Sequence, residues 1–559
     1  MSSQTNGPDS ASPLRLVPLG GLGEFGLNAM ILQWEEHLLL LDAGVLFASA
    51  EMPGVDSIVP DYAYLAERAG QLRGILLTHG HEDHIGALSY ALQAAPAPVY
   101  GSRLTLGFAR RRLQERGVAA DFRTLVAGTP VEIGPFRVHP IRVAHSVLDS
   151  LALAIETPAG VLLHGGDFKI DEGAPVEERT DLAALSAWGD RGVLALLSDS
   201  TNAEGPGSAG SEDDVVPAFE GILDRTPGRV LVSCFATSIP RMQRVGDAAV
   251  RQGRRVSFLG RRMVDNAGVA RDLGLLRIPE GSDRAADEIQ SEAAGRSLVF
   301  VSGSQGEPLS ALSQVSLGEH RHLAAGPGDT VVLSARVIPG NERAVSRLIG
   351  NLFRLGCDVV HPGLENVHVS GHGRQEDLLE LLRRVRPRYL IPVHGEYRML
   401  VQNARLAASA DFPADDVLVA EDGDVLCLSN RGAFKEARVP AGRTLLDRSG
   451  GGEVEEMVVR DRRHLSAQGV VVPILVVDRQ TGRLESAPEI VTRGVVGGDE
   501  AAELNEEAGR VLAQTMHGRP PEERLDLDLT RERVRQELRR FLRKRTQRRP
   551  MVIPVVMEV

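Results

Sequence analysis

Three cysteines in 559 residues, Cys234, Cys357 and Cys427, are too few and too widely spaced for a disulfide frame. None stands in a CxxC pair, so a closed zinc site of thiolates is also excluded, and they read as buried thiols of a reducing compartment. Aromatic residues make up only 4% of the chain, so any recognition of nucleic-acid bases depends on a small number of rings. No stretch approaches the roughly 18 to 20 consecutive apolar residues of a membrane span, and residues 1–13 lack the charged-then-apolar pattern of a signal peptide. The expectation is a soluble, cytoplasmic protein with no membrane partner. Positive charge is also in deficit, the net charge being −12, which argues against indiscriminate coating of nucleic acid. A whole-chain sum hides local fields and the charge of bound cations, however, so binding of a polyanion stays open.

What the chain does have is a concentration of metal-binding side chains. Thr78-His79-Gly80-His81-Glu82-Asp83-His84-Ile85-Gly86 puts three imidazoles and two carboxylates into six residues, straight after the apolar run Gly74 to Leu77. The run reads as a buried strand and the cluster as the loop leaving its C-terminal end. Imidazole nitrogen and carboxylate oxygen suit zinc or manganese.

Other strands end in the same kind of residue. Leu38 to Leu41 delivers Asp42, which either orients a metal-binding histidine or caps its strand. Phe136 to Val143 delivers His145. The hairpin Leu151 to Thr157 and Val161 to Leu163 leads to Asp167, and Val193 to Leu197 leads to Asp199. The glycine string Gly20 to Gly26 is not a dinucleotide fingerprint, because no long helix follows it. From about residue 210 strands and helices alternate as in a doubly wound parallel unit, and after residue 355 the first style resumes, with strands ending at His372 and His394. Beyond the run Ser449 to Gly452, the strands Gly469 to Asp478 and Ile490 to Val496, the helices Asp499 to Met516 and Thr530 to Arg545, and a last strand Val552 to Val556 make a small α/β domain. Its final helix is dense in arginine, reading either as a solvated face or as one turned to RNA or to another subunit.

The boundaries expected are therefore a disordered leader over 1–13, a first domain over 14–209 completed by 356–445, an insertion over 210–355, a linker over 446–468 and a terminal domain over 469–559. Seven donors make two sets around one shared carboxylate: His79, His81 and His145 for one divalent cation, Asp83, His84 and His394 for the other, with Asp167 between them. Two cations about 3.5 to 4 Å apart can activate a water and stabilise charge gathering on a phosphodiester.

On these residues the chain resembles a known family. HGHEDHIG, His145 and GGDFK with Asp167 resemble the metallo-β-lactamase superfamily, and SDSTN, SGH and PVHGE resemble its β-CASP branch. With GGLGEFGLN, SGSQGEP and IPGNE added, the chain looks like bacterial ribonuclease J. The resemblance implies an α/β fold: a metallo-β-lactamase αββα sandwich with an inserted β-CASP doubly wound parallel-sheet domain and a small α/β C-terminal domain. It implies a homodimer or homotetramer, association with other RNA-degradation proteins, and two divalent ions per chain, Zn²⁺ and/or Mn²⁺.

The activity implied is a ribonuclease that degrades and matures single-stranded RNA from 5′-monophosphate ends in the 5′-to-3′ direction and also cuts internally. Asp83, Asp199 and His372 would serve catalysis, Asp199 supporting the metal donors as Asp42 would. His368, Val369, Ser370, Gly371 and His372 would line the substrate path. Phe235, Thr237, Ser238 and the turn Gly303-Ser304-Gln305-Gly306 would receive the 5′ nucleotide, although two ordinary strand-to-helix turns explain them as well. Phe47 is either a stacking ring or a core phenylalanine. Pro240, Gly165 and the pair Arg336-Val337 depart from the family's usual residues. Two other functions are weighed: another hydrolase of the superfamily, and a catalytically silent RNA-binding subunit of a processing complex.

Overall fold

The computed structural model describes residues 12–48, 52–447, 453–518 and 520–559. The chain divides into two compact units, Met1–Leu46 with Ile58–Thr444, and Phe47–Ser57 with Leu445–Val559. Most of the expected leader and the glycine run 449–452 lie outside the described residues.

In the larger unit the apolar runs become strands because both of their faces are covered. Each residue of Leu38–Leu41 is at most 1% exposed, which is why the run is continuously apolar and does not alternate. This strand belongs to an eight-stranded sheet in the order Gly432–Glu436, Val425–Ser429, Leu14–Gly20, Ala29–Trp34, His37–Leu41, Leu72–Leu76, Val99–Gly101, Phe122–Thr124. A six-stranded sheet faces it, in the order Val131–Ile133, Phe136–Val143, Ser150–Thr157, Gly160–His164, Ala195–Asp199, Tyr389–Val393. Between them Leu32, Leu39 and Leu76 of the first sheet share a core with Leu153, Ile155 and Leu197 of the second. On the far side of the second sheet, Ile141, Leu163 and Leu196 pack against Leu185 and Trp188 of the helix Leu182–Arg191 and Leu381 of the helix Gln375–Val385. The helix Arg103–Glu115, opened by Ser102 Oγ accepting from the Thr105 N–H, packs beside the outer strands of the first sheet. This is the αββα sandwich.

Between the strands Ala195–Asp199 and Tyr389–Val393 the chain builds a third sheet. All six of its strands are parallel, in the order Asp283–Arg284, Arg255–Leu259, Ser297–Val301, Val230–Ser233, Thr330–Leu333, Asp358–Val360. The excursion leaves and returns on neighbouring strands, with Asp199 opposite Val393. Asp199 and His394 are thereby brought side by side.

A buried ion network ties this insertion to the sandwich. Lys169 Nζ lies 3.1 Å from Asp171 and 3.8 Å from Glu212, while Arg241, 1% exposed, donates to both Glu212 oxygens at 2.8 and 3.1 Å. The remaining Arg241 donors go to Ser334 Oγ and to the carbonyls of Val367 and Val369. Two cations face two carboxylates, and each polar atom of the guanidinium is used, which is the condition for burying such a group at all.

The smaller unit has Val470–Val477 as its central strand, antiparallel to Glu489–Arg493 and parallel to Met551–Val552 and Val555–Glu558. The last strand, expected unbroken, is interrupted at Ile553-Pro554, where proline has no N–H to give to the ladder. The helices Gly498–His517 and Leu527–Thr546 bury Leu504, Leu512, Leu538 and Leu542 against Val471 and Leu475. The stretch 446–468 is more than a linker: Glu456–Gln468 is a helix. Phe47–Ser57, expected within the first domain, belongs to this unit.

Burial works to raise the Glu212 carboxyl, but Arg241 and Lys169 hold it below the ordinary range, and Lys169 does the same for Asp171. Because the folded value lies below the ordinary glutamate value of 4.5, this stabilisation is complete above about that pH and is lost as pH falls through the folded value. Arg241→Met is expected to cost about 3 to 5 kcal/mol by leaving Glu212 short of a partner, and adding Glu212→Leu to recover much of that loss. In urea unfolding followed from neutral pH downward, the wild type should lose stability below about pH 4.5 more steeply than the double variant.

Candidate metal centre

The motif loop leaves the strand Leu72–Leu76 and runs into the short helix Glu82–Ile85. Asp42, at the end of the neighbouring strand, fixes it from below: Oδ1 accepts from the Thr78 N–H at 2.8 Å, and Oδ2 accepts from Thr78 Oγ1 at 2.9 Å and from His84 Nδ1–H at 2.8 Å. With Nδ1 tied down, His84 Nε2 points to the centre, 3.2 Å from Asp167 Oδ2. Gly44 allows this close approach, since a Cβ there would fall 1.6 Å from the Asp83 carbonyl oxygen.

The other donors converge in the same manner. His145 donates Nδ1–H to the Gly371 carbonyl at 2.7 Å, leaving Nε2 3.1 Å from His81 Nδ1. His394 has Nδ1 2.6 Å from Thr201 Oγ1, and its Nε2 lies 3.3 Å from Asp83 Oδ2 and 3.5 Å from Asp167 Oδ2. His79 Nε2 is likewise 3.5 Å from Asp167 Oδ2. Two groups could each hold an ion, His79, His81, His145 and Asp167 in one and Asp83, His84 and His394 in the other, with donor atoms in each within 4.8 Å of one another. A third group, Asp167, Asp199, His372 and His394, overlaps them. All seven expected donors thus come together, with Asp167 in the middle.

The donor set fits divalent cations on two counts. Asp167 Oδ2 is buried and has no hydrogen-bond partner among the described residues, although imidazole nitrogens surround it. Burial and neighbouring rings keep His79 and His145 well below the ordinary imidazole range and lower His81 to about 4, so their lone pairs are free. Burial opposes charge on His84 and His394 too, but Asp167 with the other carboxylates outweighs it, raising His84 well above the ordinary value and His394 to about 9. Asp83 and Asp167 are held low by the same imidazoles despite their burial. The protein alone therefore gathers more negative charge here than it neutralises without extra protons, a deficit that divalent cations would meet.

His372 stands beside this cluster. Its Nδ1–H donates to Asp199 Oδ2 at 2.8 Å, and although burial lowers its basicity, Asp199 raises it above the ordinary imidazole value. Asp199 is fixed in turn by the Thr201 N–H on Oδ1 and by Asn403 Nδ2 on its carbonyl.

Comparison with known proteins covers most of the chain. Residues 22–198 match the metallo-β-lactamase superfamily, 227–352 the ribonuclease J β-CASP domain, 359–415 the Zn-dependent metallo-hydrolase RNA specificity domain and 457–559 the ribonuclease J C-terminal domain. The chain is 40% identical over 556 residues to "Ribonuclease J" of Mycobacterium tuberculosis (strain ATCC 25618 / H37Rv), spanning 99% of each. It is 34% identical over 548 residues to "Ribonuclease J2" of Bacillus subtilis (strain 168), covering 98% of this chain and 99% of that one. The chain belongs to the ribonuclease J family. A crystal structure of a protein of unknown function from Enterococcus faecalis V583 shares the fold, with a TM-score of 0.51 at 14% identity over 75% of this chain and 100% of that one.

The residues expected along a ribonuclease J substrate path are placed unevenly. His368, Val369, Ser370 and Gly371 form the loop that carries His372, held by Asn202 Nδ2 donating to Ser370 Oγ at 2.8 Å and to the His372 carbonyl at 3.0 Å. His368 Nδ1 is buried without a partner among the described residues, and burial together with Arg241 lowers that ring to about 3. Phe235 lies beside the centre, its ring centroid 6.4 Å from that of His81. Thr237 and Ser238 are buried at the start of the helix Ile239–Arg251, in which Pro240 is an ordinary early helical residue.

The turn Gly303 to Gly306 has a plain steric reason. Gly303 and Gly306 adopt φ of 117° and 69°, and a Cβ on either would collide with Ser310 or Ala344. Ser304 is buried, and the Gln305 amide is spent on the backbone of Arg336 and Ile338. Phe47 is 59% exposed, which removes its reading as a core residue, and it lies in the other unit. Gly165 has the Leu197 carbonyl 3.1 Å from where a Cβ would stand, a tight but not closed position.

Sequence reasoning quoted Thr78, Thr201, Asn202 and Asn28 within its motifs but gave them no role; the Asn28 amide donates to the Asp83 carbonyl at 3.0 Å. Asp42→Asn keeps the shape but breaks the charge on His84 Nδ1. It is expected to weaken metal binding about 10- to 100-fold with unchanged stoichiometry, measured by competition against a chromophoric chelator.

Proposed function

We propose that this chain is a metal-dependent ribonuclease that hydrolyses the phosphodiesters of single-stranded RNA, proceeding 5′ to 3′ from monophosphorylated ends and also cutting internally. The observation that carries this reading is the Asp167 oxygen, without a hydrogen-bond partner among the described residues and 3.2 to 3.5 Å from the rings of His79, His84 and His394, with the His372–Asp199 pair beside it. Family membership and the RNA specificity match over 359–415 support RNA as the substrate.

His79, His81 and His145 would hold one ion and Asp83, His84 and His394 the other, with Asp167 common to both. Zinc or manganese in these places would supply Lewis acidity toward phosphoryl oxygen and a water ionised near neutral pH. The protein's own part is orientation and proton handling. Asp199 keeps the His372 Nδ1–H directed at itself, so that Nε2 faces the substrate and gives its proton to the departing 3′ oxygen, leaving a 5′-phosphate on the other product. The loop from His368 to Gly371, with Phe235, Thr237 and Ser238, lines the path and receives the 5′ nucleotide. Gly303 to Gly306 shape that wall through backbone geometry. In the smaller unit, Phe47 offers an exposed ring for stacking on a base.

Among the described residues no helix is long and apolar enough to cross a membrane. We place the protein in the cytoplasm, as a homodimer or homotetramer that associates with other RNA-degradation proteins.

Matched RNAs bearing 5′-monophosphate, 5′-triphosphate and 5′-hydroxyl ends should be consumed in a time course with Mn²⁺ at clearly different rates, the monophosphate fastest, and chelator should stop all three. Equal rates from the three ends would reject the 5′-phosphate preference. His372→Ala is expected to lower kcat by about 10²- to 10⁴-fold with bound metal retained, and an unaltered rate would remove His372 from the chemistry.

A further inference from the structure

Arg336, one of the departures in the sequence, takes no part in the hydrolysis described above. It follows the strand Thr330–Leu333 of the parallel sheet, on a turn whose backbone is fastened by the buried Gln305. Gln305 Nε2 donates to the Arg336 carbonyl at 3.0 Å, and Gln305 Oε1 accepts from the Ile338 N–H at 2.8 Å. The Arg336 side chain is exposed, yet its direction is set, because Nη1 donates to Asn202 Oδ1 at 3.0 Å. The same Asn202 holds Ser370 Oγ and the His372 carbonyl. The guanidinium is thus two hydrogen bonds from the main chain of His372, and its charge is felt by the His368 ring.

Arg241, at the same junction, shows what a structural arginine looks like here: it is buried, and Glu212 neutralises it through two hydrogen bonds. Arg336 differs on both counts. It forms no ion pair among the described residues, and one donor fixes its aim while the rest, with the full charge, face solvent. A guanidinium with a fixed base, a fixed direction and no internal counter-ion is suited to an external oxyanion, and its planar fork matches phosphate.

We propose that Arg336 binds a backbone phosphate of the RNA strand running along His368 to His372, as an affinity contact that reads charge and not base identity. This rests on the ribonuclease reading above. A contact to a non-scissile phosphate is made equally in the ground and transition states, so it belongs in KM and not in kcat.

The test is binding of a 5′-monophosphorylated single-stranded RNA, followed by fluorescence anisotropy in EDTA from about 50 to about 300 mM salt, together with kcat and KM after Mn²⁺ is restored. Arg336→Ala should reduce the slope of log affinity against log salt by about 0.7, the share of one phosphate on a single strand. It should raise KM about tenfold with kcat within about twofold, and Arg336→Lys should keep the slope while regaining part of the affinity. An unchanged slope and KM in Arg336→Ala, with wild type active, would overturn the proposal. So would a fall in kcat at unchanged slope, which would assign Arg336 to holding Asn202 instead. A wild type that neither binds nor cleaves RNA would overturn the ribonuclease reading itself, a result separable from these two.

Discussion

A carboxylate oxygen taken out of water without a hydrogen bond is among the costliest things a fold can contain, and among the described residues Asp167 Oδ2 has no such partner. The surrounding structure makes sense as the means of holding it there. Asp42, Asp167, Asp199 and His394 each stand at or just beyond the end of a strand, His79 to His84 leave another, and the two sheets press those ends together. Asp42 and His394 adopt φ of 60° and 58°, left-handed backbone that costs a non-glycine residue about 1 to 3 kcal/mol. The continuous leucine core behind them is what lets the fold carry both the strain and the buried charge.

The inserted sheet is part of the same solution. It leaves after Asp199 and returns before His394, and these residues stand on paired strands. The polypeptide between them can therefore be long and independently wound without disturbing the centre. Its attachment is nonetheless specific, because Arg241 reaches from a helix of the insertion to the carbonyls of Val367 and Val369. Two different arginines thus serve one junction, one spent inside the protein and the other left facing outward.

Much of this was legible in the sequence. His79 to His84 declare themselves because the spacing is local, and Asp167, Asp199 and His394 because each follows an apolar run that could only be a strand. The ties that aim the rings were not legible: His145 to the Gly371 carbonyl, His394 to Thr201, and the choice of His84 as the partner of Asp42. Those depend on which loops meet, and backbone carbonyls leave no trace in residue type. Gln305 misled in the other direction, since a polar side chain in a glycine turn looks available until its amide is seen holding the next turn. The exposure of Phe47 and the helix Glu456–Gln468 escaped for a similar reason: short segments between domains have weak periodicity, and what they pack on decides their state.

Gly371 joins the His145 side of the site to the loop that carries His372. Its carbonyl takes the His145 Nδ1–H, a Cβ on it would stand 2.8 Å from the same ring, and the next residue is His372. The seating of the loop and the tautomer of the His145 ring are therefore one variable. If His145 holds an ion and the loop an RNA strand, as proposed above, reciprocity requires that any factor by which one tightens the other be returned in equal measure.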